Sequence, residues 1–151
     1  MRKAIAKNLT MDNFTIDKPI KTICVTADSF PDGIEEAHMK LHATLADKDR
    51  RQFFGISWPG PDGEIIYKAA ASEMEPGEAE KSGAETYTIK AGPYNSFYIT
   101  DYRENLDGIS RAFELLTAQH ETDPDGFCLE WYINGKDVKC LVPLRTKQED
   151  L

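Results

Sequence analysis

Apolar positions along this chain switch between a period of two and a period close to 3.6, and the switches mark its elements. Residues 20–27 (IKTICVTA) form a β-rich run, and Ile34, Ala37, Leu41 and Leu45 then recur at helical spacing. Asp32 with Glu35 three positions on, behind Pro31, predicts a capped helix start, with the helix fading near Asp47. Residues 52–58 (QFFGISW) and 64–72 (EIIYKAAAS) read as strands joined by the turn-forming PGPDG. The segment EMEPGEAEKSG at 73–83 has no apolar period and reads as an exposed connector. Beyond it, residues 86–91 predict a short strand, Gly92-Pro93 a turn and residues 95–101 another strand. Ile109, Ala112, Phe113 and Leu116 set a second amphipathic helix, ended by HETDPDG. Residues 127–133 and 137–144 then form a hairpin about Asn134-Gly135, a type I′ signal.

The order strand, helix, strand, strand therefore occurs twice. The triplet Asp-Gly-Ile stands at Asp32 and again at Asp107, an offset of 75 at which Ile34, Ala37 and Leu41 fall on Ile109, Ala112 and Leu116. A triplet alone can arise by chance, but a helix face kept in register and an aromatic-led hairpin in both halves (FFGISW, FCLEWY) point to internal duplication. The expected fold is α+β: one domain of tandem duplicated β-α-β-β units with antiparallel sheets and a helix on each unit. Its parts are an extension at 1–19, a first repeat at 20–72, a connector at 73–85, a second repeat at 86–144 and a tail at 145–151. A ligand groove is expected between the units, as seams of this kind often hold ligands.

Composition narrows the functions. With 151 residues the chain suits one domain, and 26 acidic against 18 basic residues give a net charge of −8, which repels nucleic-acid backbones and anionic membranes. The first residues lack the apolar core of a signal peptide and no run is long enough to span a bilayer, so the expected location is the cytoplasm. Cys24, Cys128 and Cys140 are scattered through apolar runs and read as reduced core thiols. His38 and His42 share a helix face without a metal-binding pattern, and no phosphate loop or nucleophile motif is present. No metal or cofactor is expected.

The informative strand is FCLEWY. Alternation puts Phe127, Leu129, Trp131 and Ile133 on one face, taken as the core face, and Cys128, Glu130 and Tyr132 on the other. A carboxylate beside an aromatic ring in a partly apolar cleft can neutralise a cation and add a cation–π attraction. The other reading of Glu130 is a glutamate exposed on an open sheet face. Trp58, Tyr67, Tyr94 and Tyr98 lie on strands from which they could reach the same cleft or simply pack.

The segments YTIKAGPYNSFYITDY, ISRAFELLTAQ, FCLEWY and KCLVPL, in that order, resemble the GyrI-like small-molecule-binding domain, the effector-binding domain of AraC-type and MerR-type multidrug regulators. ICVTADSFPDGIEEAHMKLHATL and FFGISW resemble the more variable first repeat of that family. The resemblance implies a pocket with the strand glutamate, here Glu130, at its floor, and aromatic walls from Trp58, Tyr67, Tyr98 and Tyr132. Such regulators carry a helix-turn-helix domain ahead of the ligand domain, for which the 19 residues before Ile20 are too few, so a stand-alone form is expected. The implied partner is a small molecule, lipophilic or cationic, bound without direct nucleic-acid or membrane contact. Two alternatives remain: a protein-directed inhibitor of the DNA gyrase inhibitor type, and hydrolysis of reactive compounds by a pocket glutamate, with Glu73 as a candidate second acid.

Overall fold

The computed structural model describes residues 10–146. These contain eight strands, which pair antiparallel, and three α-helices, an α+β fold. They fall into two compact units, Lys18–Ala91 and the described residues of Met1–Asp17 with Gly92–Leu151.

The first unit contains strand β2 (Ile20–Thr26), helix α1 (Ile34–Thr44), strands β3 (Phe53–Pro59) and β4 (Ile65–Ser72), helix α2 (Glu78–Ser82) and strand β5 (Glu85–Ile89). Its strand order is β3-β4-β2-β5. Helix α1 lays Ala37 and Leu41, both buried, on Ile23, Tyr67, Ala69 and Ala71, which point to one face of β2 and β4. The small alanines of β4 let the helix approach closely, and a fully buried leucine such as Leu41 contributes roughly 1.5–3 kcal/mol by leaving water. The expected cap is corrected: Gly33, not Asp32, is the cap residue, and no side chain caps the helix. Gly33 donates its N–H to the Ser29 carbonyl at 3.1 Å. A Cβ on Gly33 would lie 2.7 Å from that same oxygen and 2.9 Å from the Ser29 nitrogen, so only glycine fits the turn. Gly33→Ala should therefore lower stability by roughly 1–3 kcal/mol in urea denaturation, as overpacked positions do.

The second unit contains β1 (Asp12–Ile16), β6 (Gly92–Ile99), helix α3 (Leu106–Thr117), β7 (Cys128–Ile133) and β8 (Asp137–Pro143), with strand order β1-β6-β8-β7. Ala112 and Leu116 of α3 cover Phe97, Ile99, Val138, Cys140 and Val142. Asn134 and Gly135 both take positive φ, and Lys136 N–H closes the turn on the Ile133 carbonyl at 3.2 Å, as a type I′ turn requires.

Three sequence expectations are corrected. Residues 12–16, within the expected extension, form β1, which pairs with β6 from Asp12↔Ser96 to Ile16↔Gly92. That pairing draws Gly92 and Pro93 into a strand instead of a turn; Gly92 adopts φ +131, and Pro93 is tolerated because it stands at the start of β6, before its register with β8 begins at Tyr94. The connector holds helix α2, because Arg51 and Glu73 anchor it: Glu78 pairs with Arg51 at 2.7 Å and Glu73 accepts the Ala79 N–H at 3.2 Å.

Candidate functional site

Glu130 stands in the middle of β7, directly opposite Cys140 of β8. Cys140 belongs to the core under α3, and Cys128 and Tyr132, two positions either side of Glu130, pack against the same core. Glu130 is thus on the helix-bearing face of the sheet, half-buried, and the face assigned from alternation is corrected. The reason is that both faces of β7 are apolar: Leu129 on the other face is fully buried as well, so alternation alone did not say where the helix lies.

The Tyr132 hydroxyl donates a hydrogen bond to Glu130 Oε1. The Tyr132 ring sits 5.4 Å from that of Tyr102, inclined at 53°. Burial pushes the Cys128 thiol up to about 11, with the Glu130 charge adding to the shift. Cys140 is pushed well above the ordinary thiol range by burial first, then by Glu130 and Cys128. Both thiols are therefore protonated and poor nucleophiles at neutral pH. What the arrangement offers is one carboxylate, its charge felt by buried neighbours, bonded to a tyrosine that packs on a second tyrosine ring. Chemically this is a hydrogen-bond acceptor and counter-charge for a cationic or donor-bearing molecule. Among the described residues no three His, Cys, Asp or Glu side chains gather as a metal site.

Within the second unit, the other candidates lie off this face. Tyr98 lies on the opposite face of the second unit's sheet, 38% exposed, its hydroxyl donating to Asp137 Oδ2 at 2.7 Å. Tyr94, on that face too, is fully buried and edge-on to Phe127. In the first unit, Tyr67 is 1% exposed beneath α1 with its hydroxyl 2.9 Å from His38 Nε2. Trp58 lies on the other face of that sheet, stacked on Tyr87 at 5.6 Å. Tyr102 was missed from the sequence, because it follows β6 in a 3-10 turn with no strand or helix period to mark it.

The sequence matches no family model and no curated protein. Solved structures share the fold. SAV2435 bound to tetraphenylphosphonium superposes with a TM-score of 0.62 at 12% identity, covering 93% of this chain and 96% of that one. An integron cassette protein from the mobile metagenome of Vibrio cholerae gives 0.61 at 14% identity, covering 91% and 99%. EcmrR, in a complex with DNA, gives 0.58 at 10% identity, and the match covers 96% of this chain but 60% of EcmrR. Among the described residues no helix is long and apolar enough to cross a membrane.

Proposed function

We propose that this chain is a small-molecule-binding domain related to regulator effector domains, GyrI-like in fold, and that the Glu130 face of the second unit receives a lipophilic cation. The observation that carries the reading is the half-buried Glu130 carboxylate, hydrogen-bonded by Tyr132, whose ring packs against Tyr102. The fold shared with a protein bound to tetraphenylphosphonium supports the ligand class. Of the aromatic residues assigned by resemblance, Tyr132 shares the face of Glu130, and it is the wall residue this proposal relies on. The proposal also takes residues 20–72 and 86–144 as copies of one ancestral unit, supported by the matching positions of Ala37 and Leu41 with Ala112 and Leu116 in the two cores.

A half-buried carboxylate attracts a cation more strongly than an exposed one because less water screens the pair. Calorimetry with tetraphenylphosphonium should show binding by the wild type. Glu130→Gln keeps the shape and removes the charge, and it should weaken that binding by about 1–3 kcal/mol, roughly 5-fold to 150-fold, as loss of a charged contact does. Neutral triphenylphosphine oxide should bind both forms alike. Equal affinity of wild type and Glu130→Gln for the cation would remove the electrostatic role.

A further inference from the structure

We propose that the sheet face opposite α3 in the second unit carries a separate binding site for planar aromatic carboxylates, centred on Lys139 between Tyr98 and Trp131. The strand registers set Tyr98 of β6 and Trp131 of β7 directly opposite Lys139 of β8, so ring, ammonium and ring form a row across three neighbouring strands. Strand spacing of about 4.8 Å makes such a row the size of a small fused ring system. Phe14 of β1 closes one side: Lys139 Nζ lies 3.7 Å from its ring centroid, and its ring meets Trp131 edge-on at 6.0 Å. Lys139 and Trp131 are half-buried and Tyr98 is 38% exposed, so the row is reachable from water.

The first unit shows what this position ordinarily holds. There, Lys68 of β4 stands opposite Thr26 of β2, and Glu85 of β5 stands opposite Cys24. In the second unit Lys139 stands opposite Tyr98 of β6, and Asp12 of β1 stands opposite Ser96. Cys24 and Thr26, like Ser96 and Tyr98, alternate with residues of the helix-covered core, so the two sets occupy corresponding places on corresponding faces. Lys68 is satisfied internally: its ammonium is 2.6 Å from Glu85 Oε1 and 2.7 Å from Thr26 Oγ1. Asp12 is one methylene shorter than Glu85. Among the described residues, the Lys139 ammonium makes no hydrogen bond and no ion pair; its contacts are the Phe14 ring and a longer-range attraction to Asp12.

A half-buried ammonium facing a ring has exchanged part of its hydration for a weaker partner, and burial accordingly lowers its pKa from the ordinary lysine value. A ligand carboxylate would take the part that Glu85 plays for Lys68, and the ligand's ring would lie against Trp131 or Tyr98. The Tyr98 hydroxyl is engaged by Asp137 Oδ2 at 2.7 Å. Asp12 and the net charge of −8 disfavour small hydrated anions, so affinity must come from a carboxylate and an aromatic surface together.

The test is calorimetry with 2-naphthoate, with 2-naphthylmethanol and acetate as controls. Naphthoate should bind the wild type at least roughly 10-fold more tightly than either control, and Lys139→Gln should bring it down to the level of the neutral alcohol. Asp12 provides a second measurement that leaves the lysine in place. Asp12→Asn removes a competing charge and should strengthen naphthoate binding, whereas Asp12→Glu supplies the missing methylene, lets the chain satisfy Lys139 as it satisfies Lys68, and should weaken binding several-fold. Naphthoate that binds no better than naphthylmethanol, or that binds Asp12→Glu and Asp12→Asn equally, overturns the proposal.

Discussion

Arg51→Ala should cost this protein roughly 2–4 kcal/mol of stability, the largest loss expected from any single polar substitution, because it removes a buried charge that organises three backbone segments. The Arg51 side chain is 2% exposed. Its Nε donates to the Ala46 carbonyl at 2.8 Å, one terminal nitrogen donates to the Ser72 carbonyl at 2.9 Å, and both terminal nitrogens reach the Glu78 carboxylate. The residue thereby ties the loop after α1, the end of β4 and the start of α2. Glu78 is 32% exposed, which moderates the penalty of leaving its charge behind. Arg51→Lys should recover little, since one ammonium cannot copy a planar fork aimed at three acceptors. Equilibrium urea unfolding checks both, and a loss below about 1 kcal/mol for Arg51→Ala would contradict the account. The Arg51 hydrogen bond, and secondly the Met74 N–H, hold the Glu78 carboxyl below the usual carboxylate range. The stability linked to Glu78 is therefore present above the unfolded carboxylate pKa and is lost as pH falls through the lower folded value.

A second large effect should appear at mildly acidic pH and trace to His38. Burial first, and the neighbouring His42 second, lower its pKa from 6.5 to about 4. The folded protein thus keeps the imidazole neutral, 2.9 Å from the Tyr67 hydroxyl, while the unfolded chain takes up a proton below pH 6.5. Stability must rise with pH where the unfolded state binds more protons, so this contribution is complete above pH 6.5 and is lost as pH falls through the folded value near 4. Between pH 7 and pH 5 the loss should be roughly 2 kcal/mol, a window in which most carboxylates have not yet titrated. His42, also lowered by burial and stacked on Phe53 at 4.3 Å, adds to the same slope. His38→Gln keeps a hydrogen-bonding group near Tyr67 but cannot titrate, so its unfolding free energy should depend much less on pH between these limits. Parallel slopes for wild type and variant would place the acid sensitivity elsewhere.

Local chemistry was legible in the sequence wherever one segment carried its own constraint. Ala37 and Leu41, and Ala112 with Leu116, were marked as helix core by their spacing, and all four are buried in α1 and α3. Asn134-Gly135 announced its turn because few residues tolerate two successive positive φ angles. The repeated Asp-Gly-Ile triplets have a steric side as well: a Cβ on Gly33 would strike Ser29, and one on Gly108 would come within 2.7 Å of Asn105. Long-range pairing and the choice of face lay beyond such signals. The polar residues of β1 become a strand only through their register with β6, some eighty positions further along the chain. Whether Glu130 or Trp131 of β7 shares a face with the helix depended on where α3 packs, since both faces of that strand carry apolar side chains. Likewise, Lys68 and Lys139 look alike in sequence, each within a strand-forming run. Only the pairing of β5 and β1 with their neighbours decides that Glu85 reaches one ammonium while Asp12, one methylene shorter, leaves the other against Phe14. Periodicity and turn chemistry act between residues a few positions apart and so can be read along the chain, whereas a partner across a sheet is set by the closure of the whole unit.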